Sequence, residues 1–118
     1  MPIEKRTSPR VPVSMKVQSN FEELIFGYAR DISTSGISVS SEVVSSIDAI
    51  PSIGQTLTLS FKLPKQEHKI TVVAKLVRVD LQEGQLPVLG LAYTDLQKES
   101  KKNIEAFVNQ IQMSLFNK

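Results

Sequence analysis

A chain of 118 residues with 41% apolar and 22% charged residues suits one compact domain with a real core, and is too short for two ordinary ones. A net charge of +2 falls well short of the positive field of a dedicated duplex-DNA binder, so no duplex nucleic acid is expected as a partner. The lack of cysteine excludes disulfides, thiolate catalysis and Cys-based zinc sites. No apolar run reaches bilayer length and no signal peptide opens the chain, so a cytoplasmic protein with no membrane span is expected.

Residues 1–10, MPIEKRTSPR, have no apolar period and carry Lys5, Arg6 and Arg10, which reads as a flexible N-terminal arm ahead of a folded unit over 11–118. VPVSMKVQ (11–18) then sets Val11, Val13, Met15 and Val17 on one face of a half-buried strand, with Pro12 marking an edge or a strand start. LIFGYARD (24–31) and GISVSS (36–41) read as two strands joined through a polar cluster. There Gly36 would supply either a positive φ or a close backbone approach.

The stretch 43–55, with Pro51 and Gly54, reads as a loop. TLTLSFKL (56–63) alternates cleanly, with Leu57, Leu59, Phe61 and Leu63 in phase. KITVVAKLVRVD (69–80) is long and rich in β-branched residues, and PVLGLAYT (87–94) is a sixth strand in which Gly90 marks a bulge or bend. The period then lengthens to that of a helix over about 97–116. Ile104, Phe107, Val108, Ile111 and Leu115 form its apolar stripe, with a capping box from Thr94 to Gln97 or a competing start at Ser100. Six short strands and one helix predict a mainly β fold, a small six-stranded antiparallel β-barrel with a C-terminal α-helix.

Enzymatic candidates are thin. His68, the sole histidine, sits in the polar turn PKQEHK with no nucleophile or acid motif beside it, and reads as a solvated loop residue. No metal-binding helix, calcium loop or phosphate loop appears, so catalysis is not expected.

The arm carries more information. Arg6 and Arg10 are four residues apart, and Pro9 disfavours helix at Ser8, so an extended arm anchors the two guanidiniums about 13 Å apart. The planar fork of each suits phosphate oxygens and the O6/N7 edge of guanine; two such arginines taken alone also fit a solubilising basic tail. The cluster Asp31-x-Ser33-x-x-Gly36 has the same double character. It fits plain turn chemistry, and it fits a guanine site in which Asp31 accepts from N1–H and N2–H2, Ser33 bonds beside it, and Gly36 lets a ring lie near the backbone.

Together, in this order and in this setting, Arg6-x-x-x-Arg10 and Asp31-x-Ser33-x-x-Gly36 resemble the two signature motifs of the PilZ domain family, with no departure at any motif position. The strand order and terminal helix are in keeping, so the resemblance spans nearly the whole chain. It implies a receptor for the bacterial second messenger cyclic di-GMP, with no cofactor. Arg6 and Arg10 would clasp the nucleotide while Asp31, Ser33 and Gly36 line the barrel surface that receives it. Lys5 is a further candidate contact, whose added charge would favour a stacked ligand dimer. Closure of the arm would alter the surface shown to an effector protein whose identity the sequence does not carry.

Two other readings stay open. A single-stranded nucleic-acid binder needs aromatic platforms along a basic groove. Here, of five Phe, two Tyr and no Trp, several such as Phe61 and Phe107 fall in core phase. The second is a PilZ-fold protein-interaction adaptor with weak or no nucleotide binding, whose helix end at Leu115 and Phe116 projects towards a partner.

Overall fold

A computed structural model describes residues 10–19, 25–41 and 51–116. They form strands β1 (Val11–Ser19), β2 (Ile25–Ile32), β3 (Gly36–Ser41), β4 (Thr56–Phe61), β5 (Ile70–Asp80) and β6 (Val88–Asp95), followed by helix α1 (Lys98–Phe116). The six strands close into an antiparallel barrel in the order β1-β2-β3-β6-β5-β4. Closure leaves no unpaired sheet edge among them, which removes the usual route to edge-to-edge association.

Strand alternation builds the interior. Val11, Met15 and Val17 of β1 are buried, as are Leu57, Leu59 and Phe61 of β4, Ile70, Val72, Ala74 and Leu76 of β5, and Leu89 and Leu91 of β6. The helix packs against β1 and β5. Its Ile104, Phe107 and Val108 join the barrel core and Ile111 packs against its margin, whereas Leu115, in phase with them, stands 50% exposed beyond the barrel. The stripe therefore seals the barrel from Ile104 to Ile111 and no further.

α1 starts at Lys98, so neither Thr94 nor Ser100 is its cap. Thr94 lies inside β6, and its hydroxyl donates to the Val73 carbonyl across the sheet, so it does not cap the helix. The backbone N–H of Lys101 donates to the Gln97 carbonyl at 2.8 Å, which places the first helical hydrogen bond one step before Lys98.

Two irregularities shape the face that carries the site. The β2–β3 register slips between Ala29 and Asp31, and the β5–β6 register slips between Leu76 and Arg78. The second slip inverts the phase of β5. Leu76 points into the core, Val77 is about half exposed, and it is Val79 that next packs against the core. A bulge re-aims side chains in just this way. Backbone bonds hold it from the other side, Gly54 N–H donating to the Leu76 carbonyl and Leu76 N–H to the Gln55 carbonyl.

Candidate functional site

The turn between β2 and β3 is built on one hydroxyl. Ser33 is buried, and its Oγ accepts from the backbone N–H groups of Ser35 and Gly36, each at 3.1 Å. The Ser33 N–H in turn donates to the Gly36 carbonyl at 2.9 Å. Ser33 Oγ and Ser35 Oγ lie 3.1 Å apart, which extends the cluster to the outer surface. The whole turn is tied to the barrel because Tyr93 N–H donates to the Ser35 carbonyl at 3.0 Å. A serine hydroxyl suits this work because it accepts two backbone donors that the sharp reversal leaves unpaired.

Gly36 opens β3 directly against Ala92 of β6, and the backbone of Leu91 passes too close for any Cβ at position 36. Of the two uses the sequence leaves open for this glycine, the fold takes the close approach. Its φ is not among the positive ones, which among the described residues fall at Gly27, Gly54, Gly84 and Lys65. Gly90 shows the same economy in another way. It carries no bulge in its pairing with β3, while the slip beside it belongs to β5.

Asp31 lies in β2 opposite Pro12 of β1 and Ser38 of β3. Arg10, immediately before β1, brings Nη1 to 3.9 Å from Asp31 Oδ1, with the two side chains 50% and 32% exposed. An ion pair this open is worth about 0–1 kcal/mol, so it orients the guanidinium without locking it.

A shallow cleft of about 100 Å³ is lined by Arg10, Ser33, Ser35 and Gly36 on one side and by Arg78, Gly90 and Ala92 on the other, with Asp31 reaching it through its pairing with Arg10. The structure thus gathers Arg10, Asp31, Ser33 and Gly36 on one patch of barrel surface. Lys5 and Arg6 lie outside the described residues. Sequence reasoning missed Arg78, Gly90 and Ser35 as lining. A signal existed for Arg78: plain alternation puts it in phase with Ala74 and Leu76, and a guanidinium does not enter a barrel core unpaired.

Larger depressions lie elsewhere. One of about 500 Å³ runs beside the helix start, among His68, Asp95, Gln97 and Asn103, and another of about 290 Å³ is bordered by Lys16, Lys62 and Lys69. Neither is lined by an arginine, and a further one of about 120 Å³ is lined by Arg30 and Asp80, away from the signature residues. His68 is exposed, and among the described residues no three His, Asp or Glu side chains gather as metal ligands. No described helix is long and apolar enough to cross a membrane.

The chemistry available at the cleft is recognition. A guanidinium offers paired donors to phosphate oxygens or a guanine edge, a half-exposed carboxylate accepts paired N–H donors, and the floor between them is short side chains and backbone. Comparison with known folds agrees on the architecture. The Bacillus subtilis inhibitor of motility MotI/DgrA superposes with a TM-score of 0.81 at 23% identity, over 95% of this chain and 53% of that one. The PilZ domain of Escherichia coli YcgR, solved with c-di-GMP, superposes with a TM-score of 0.71 at 9% identity over 95% of each chain. A longer Escherichia coli YcgR chain in complex with c-di-GMP matches with a TM-score of 0.71 at 8% identity, over 96% of this chain and 48% of that one. The chain therefore spans about half the length of MotI/DgrA and of the longer YcgR. A search of the curated proteins returns no match. The family model of the PilZ domain covers residues 4–110, from the arm to within the last turns of α1. With that match and a closed six-stranded barrel bearing one terminal helix, the chain belongs to the PilZ domain family.

Proposed function

We propose that this protein is a cyclic di-GMP receptor that signals by closing its N-terminal arm over the Arg10–Asp31 cleft. The observation that carries this reading is the placement of Arg10 beside Asp31 at the rim of a cleft floored by Ser33 and Gly36, in a chain of the PilZ family. Two solved structures with the same fold, both of Escherichia coli YcgR, hold c-di-GMP, which supports the choice of ligand.

The size of the cleft supports the closing motion. About 100 Å³ is well below the several hundred Å³ of a preformed small-molecule pocket, so the floor seats one edge of a cyclic dinucleotide and the rest lies over the rim. Arg6 and Arg10 then come from the arm side to the two phosphodiester charges, and charge-assisted hydrogen bonds offset the cost of ordering the arm. Asp31 receives guanine N1–H and N2–H2. Ser33 acts mainly by holding the turn, since its hydroxyl already accepts two backbone N–H groups. Lys5 adds a cation that favours two stacked ligands. The closed arm presents a new surface to an effector protein.

A second reading keeps the fold without the nucleotide, as an interaction adaptor. It draws on the exposed Met113 and Leu115 at the end of α1. Isothermal titration separates the two. Cyclic di-GMP is expected to bind in preference to GTP and cyclic di-AMP, with two ligands per chain if Lys5 supports stacking, and Arg6→Ala or Arg10→Ala is expected to weaken binding by about ten-fold or more. An absence of heat with cyclic di-GMP at ligand concentrations up to the millimolar range would leave the adaptor.

A further inference from the structure

Arg78 faces the cleft from the side opposite Arg10, and three observations give it a purpose. The first is the bulge. Regular alternation would turn Arg78 inward with Leu76, and the slip between Leu76 and Arg78 turns it outward onto the face that bears the cleft.

The second is the space reserved for it. Asp31 pairs with Ser38, Ser38 with Gly90, and Gly90 with Arg78, so these four residues form one row across β2, β3, β6 and β5. The two middle positions are small. A Cβ on Gly90 would stand 3.1 Å from Arg78 Cζ and 3.2 Å from each Nη, so the guanidinium rests where a side chain at position 90 would begin. The row begins at Asp31, beside Arg10, and the Arg78 guanidinium lies over its Gly90 position.

The third is how Arg78 is held. Its Nε donates to Asp80 Oδ2 at 3.0 Å, with both side chains about half exposed. Such a pair adds little to stability, but it takes the inner nitrogen and leaves the terminal Nη pair at the cleft. That is the half of the fork that meets two acceptors side by side.

We propose that Arg78 is a specificity-determining ligand residue, whose Nη pair recognises the O6/N7 edge of a guanine of the nucleotide bound in this cleft. The assignment rests on the cyclic di-GMP reading above. Guanine presents two acceptors on that edge, whereas adenine presents N6–H2, a donor, beside N7. Arg78 therefore discriminates between cyclic di-GMP and cyclic di-AMP in addition to contributing affinity.

The test is a titration of the full chain with both cyclic dinucleotides, in the wild type and in Arg10→Ala, Arg78→Met, Arg78→Lys and Gly90→Ala variants whose folding is checked by thermal unfolding. Arg78→Met is expected to lose about ten-fold or more in cyclic di-GMP affinity and to narrow the preference over cyclic di-AMP. Arg78→Lys keeps the charge without the fork and is expected not to restore that preference. Gly90→Ala pushes only the flexible end of Arg78, so it is expected to keep the fold and weaken binding. If Arg10→Ala loses affinity while Arg78→Met keeps wild-type affinity and preference, the assignment of Arg78 is wrong and the receptor reading stands. If the wild type binds no cyclic di-GMP, both are wrong.

Discussion

A Cβ placed on Gly36 would stand 2.4 Å from the carbonyl oxygen of Leu91, a distance at which backbone must move. The glycine of the second signature motif is thus needed where β3 first meets β6, before any ligand is considered. Gly36→Ala is expected to destabilise the barrel by about 1–3 kcal/mol, since the obstacle is a paired strand with no rotamer to change. Urea unfolding followed by far-UV circular dichroism checks this, and an unchanged midpoint would mean that β6 yields freely.

Ser33 invites a different expectation. Removing its hydroxyl leaves the N–H groups of Ser35 and Gly36 without their acceptor in a turn that is only partly open to water. Ser33→Ala is expected to cost about 1–3 kcal/mol and to speed hydrogen exchange at those two amides more than in the core of β4. Equal protection of those amides in Ser33→Ala and the wild type would show that water replaces the hydroxyl at no cost.

Tyr93 buries a hydroxyl that has no hydrogen-bond partner among the described residues, and burial pushes its phenol pKa upward. In the unfolded chain a tyrosine ionises near pH 10. Above about that pH the unfolded state therefore binds fewer protons than the native state, and stability falls as pH rises; below it Tyr93 contributes no slope. Tyr93→Phe is expected to match or exceed wild-type stability at pH 7 and to lose part of the alkaline decline. Urea midpoints of the two proteins at pH 7 and pH 10.5 measure both effects. A Phe variant that is less stable at pH 7 would reveal a partner for the hydroxyl.

The helix offers a contrast along a single stripe. Phe107 is buried against the barrel and Leu115, in phase with it, is half exposed. Phe107→Ala is expected to cost about 3–5 kcal/mol, and Leu115→Ala less than about 0.5 kcal/mol. Similar costs at the two positions would mean that the end of α1 is covered in solution.

Much of this architecture could be read from residue order. Val11, Met15 and Val17, then Leu57, Leu59 and Phe61, alternate against polar neighbours, and the pleat turns that alternation into an inside and an outside. The signature residues were legible for a related reason. Turn chemistry is local, and the family resemblance they carry is borne out by the match over residues 4–110. What local pattern does not encode is which strand meets which. The pairings of β3 with β6 and β1 with β4 close the barrel through contacts distant in sequence.

The slip that frees Arg78 leaves one trace, an arginine in core phase, but its place is not marked because ITVVAKLVRV carries valines in both phases and either register reads as a strand. Gly36 was ambiguous for the same kind of reason. A glycine next to a turn serves a positive φ as readily as a tight crossing, and only the neighbouring strand decides. The capping box fails because Thr94 has the chemistry of a cap, yet sits in a strand whose partner carbonyl, that of Val73, claims its hydroxyl.

The most direct measurement is a titration of the isotopically labelled protein with cyclic di-GMP, followed in two-dimensional 1H–15N spectra. Saturable shifts are expected at the amides of Ser33, Ser35, Gly36, Ile37 and Gly90, which surround the cleft between Arg10 and Arg78. Shifts confined to the face of Lys16, Lys62 and Lys69, or to the turn before α1, or no shifts at all, would contradict the account.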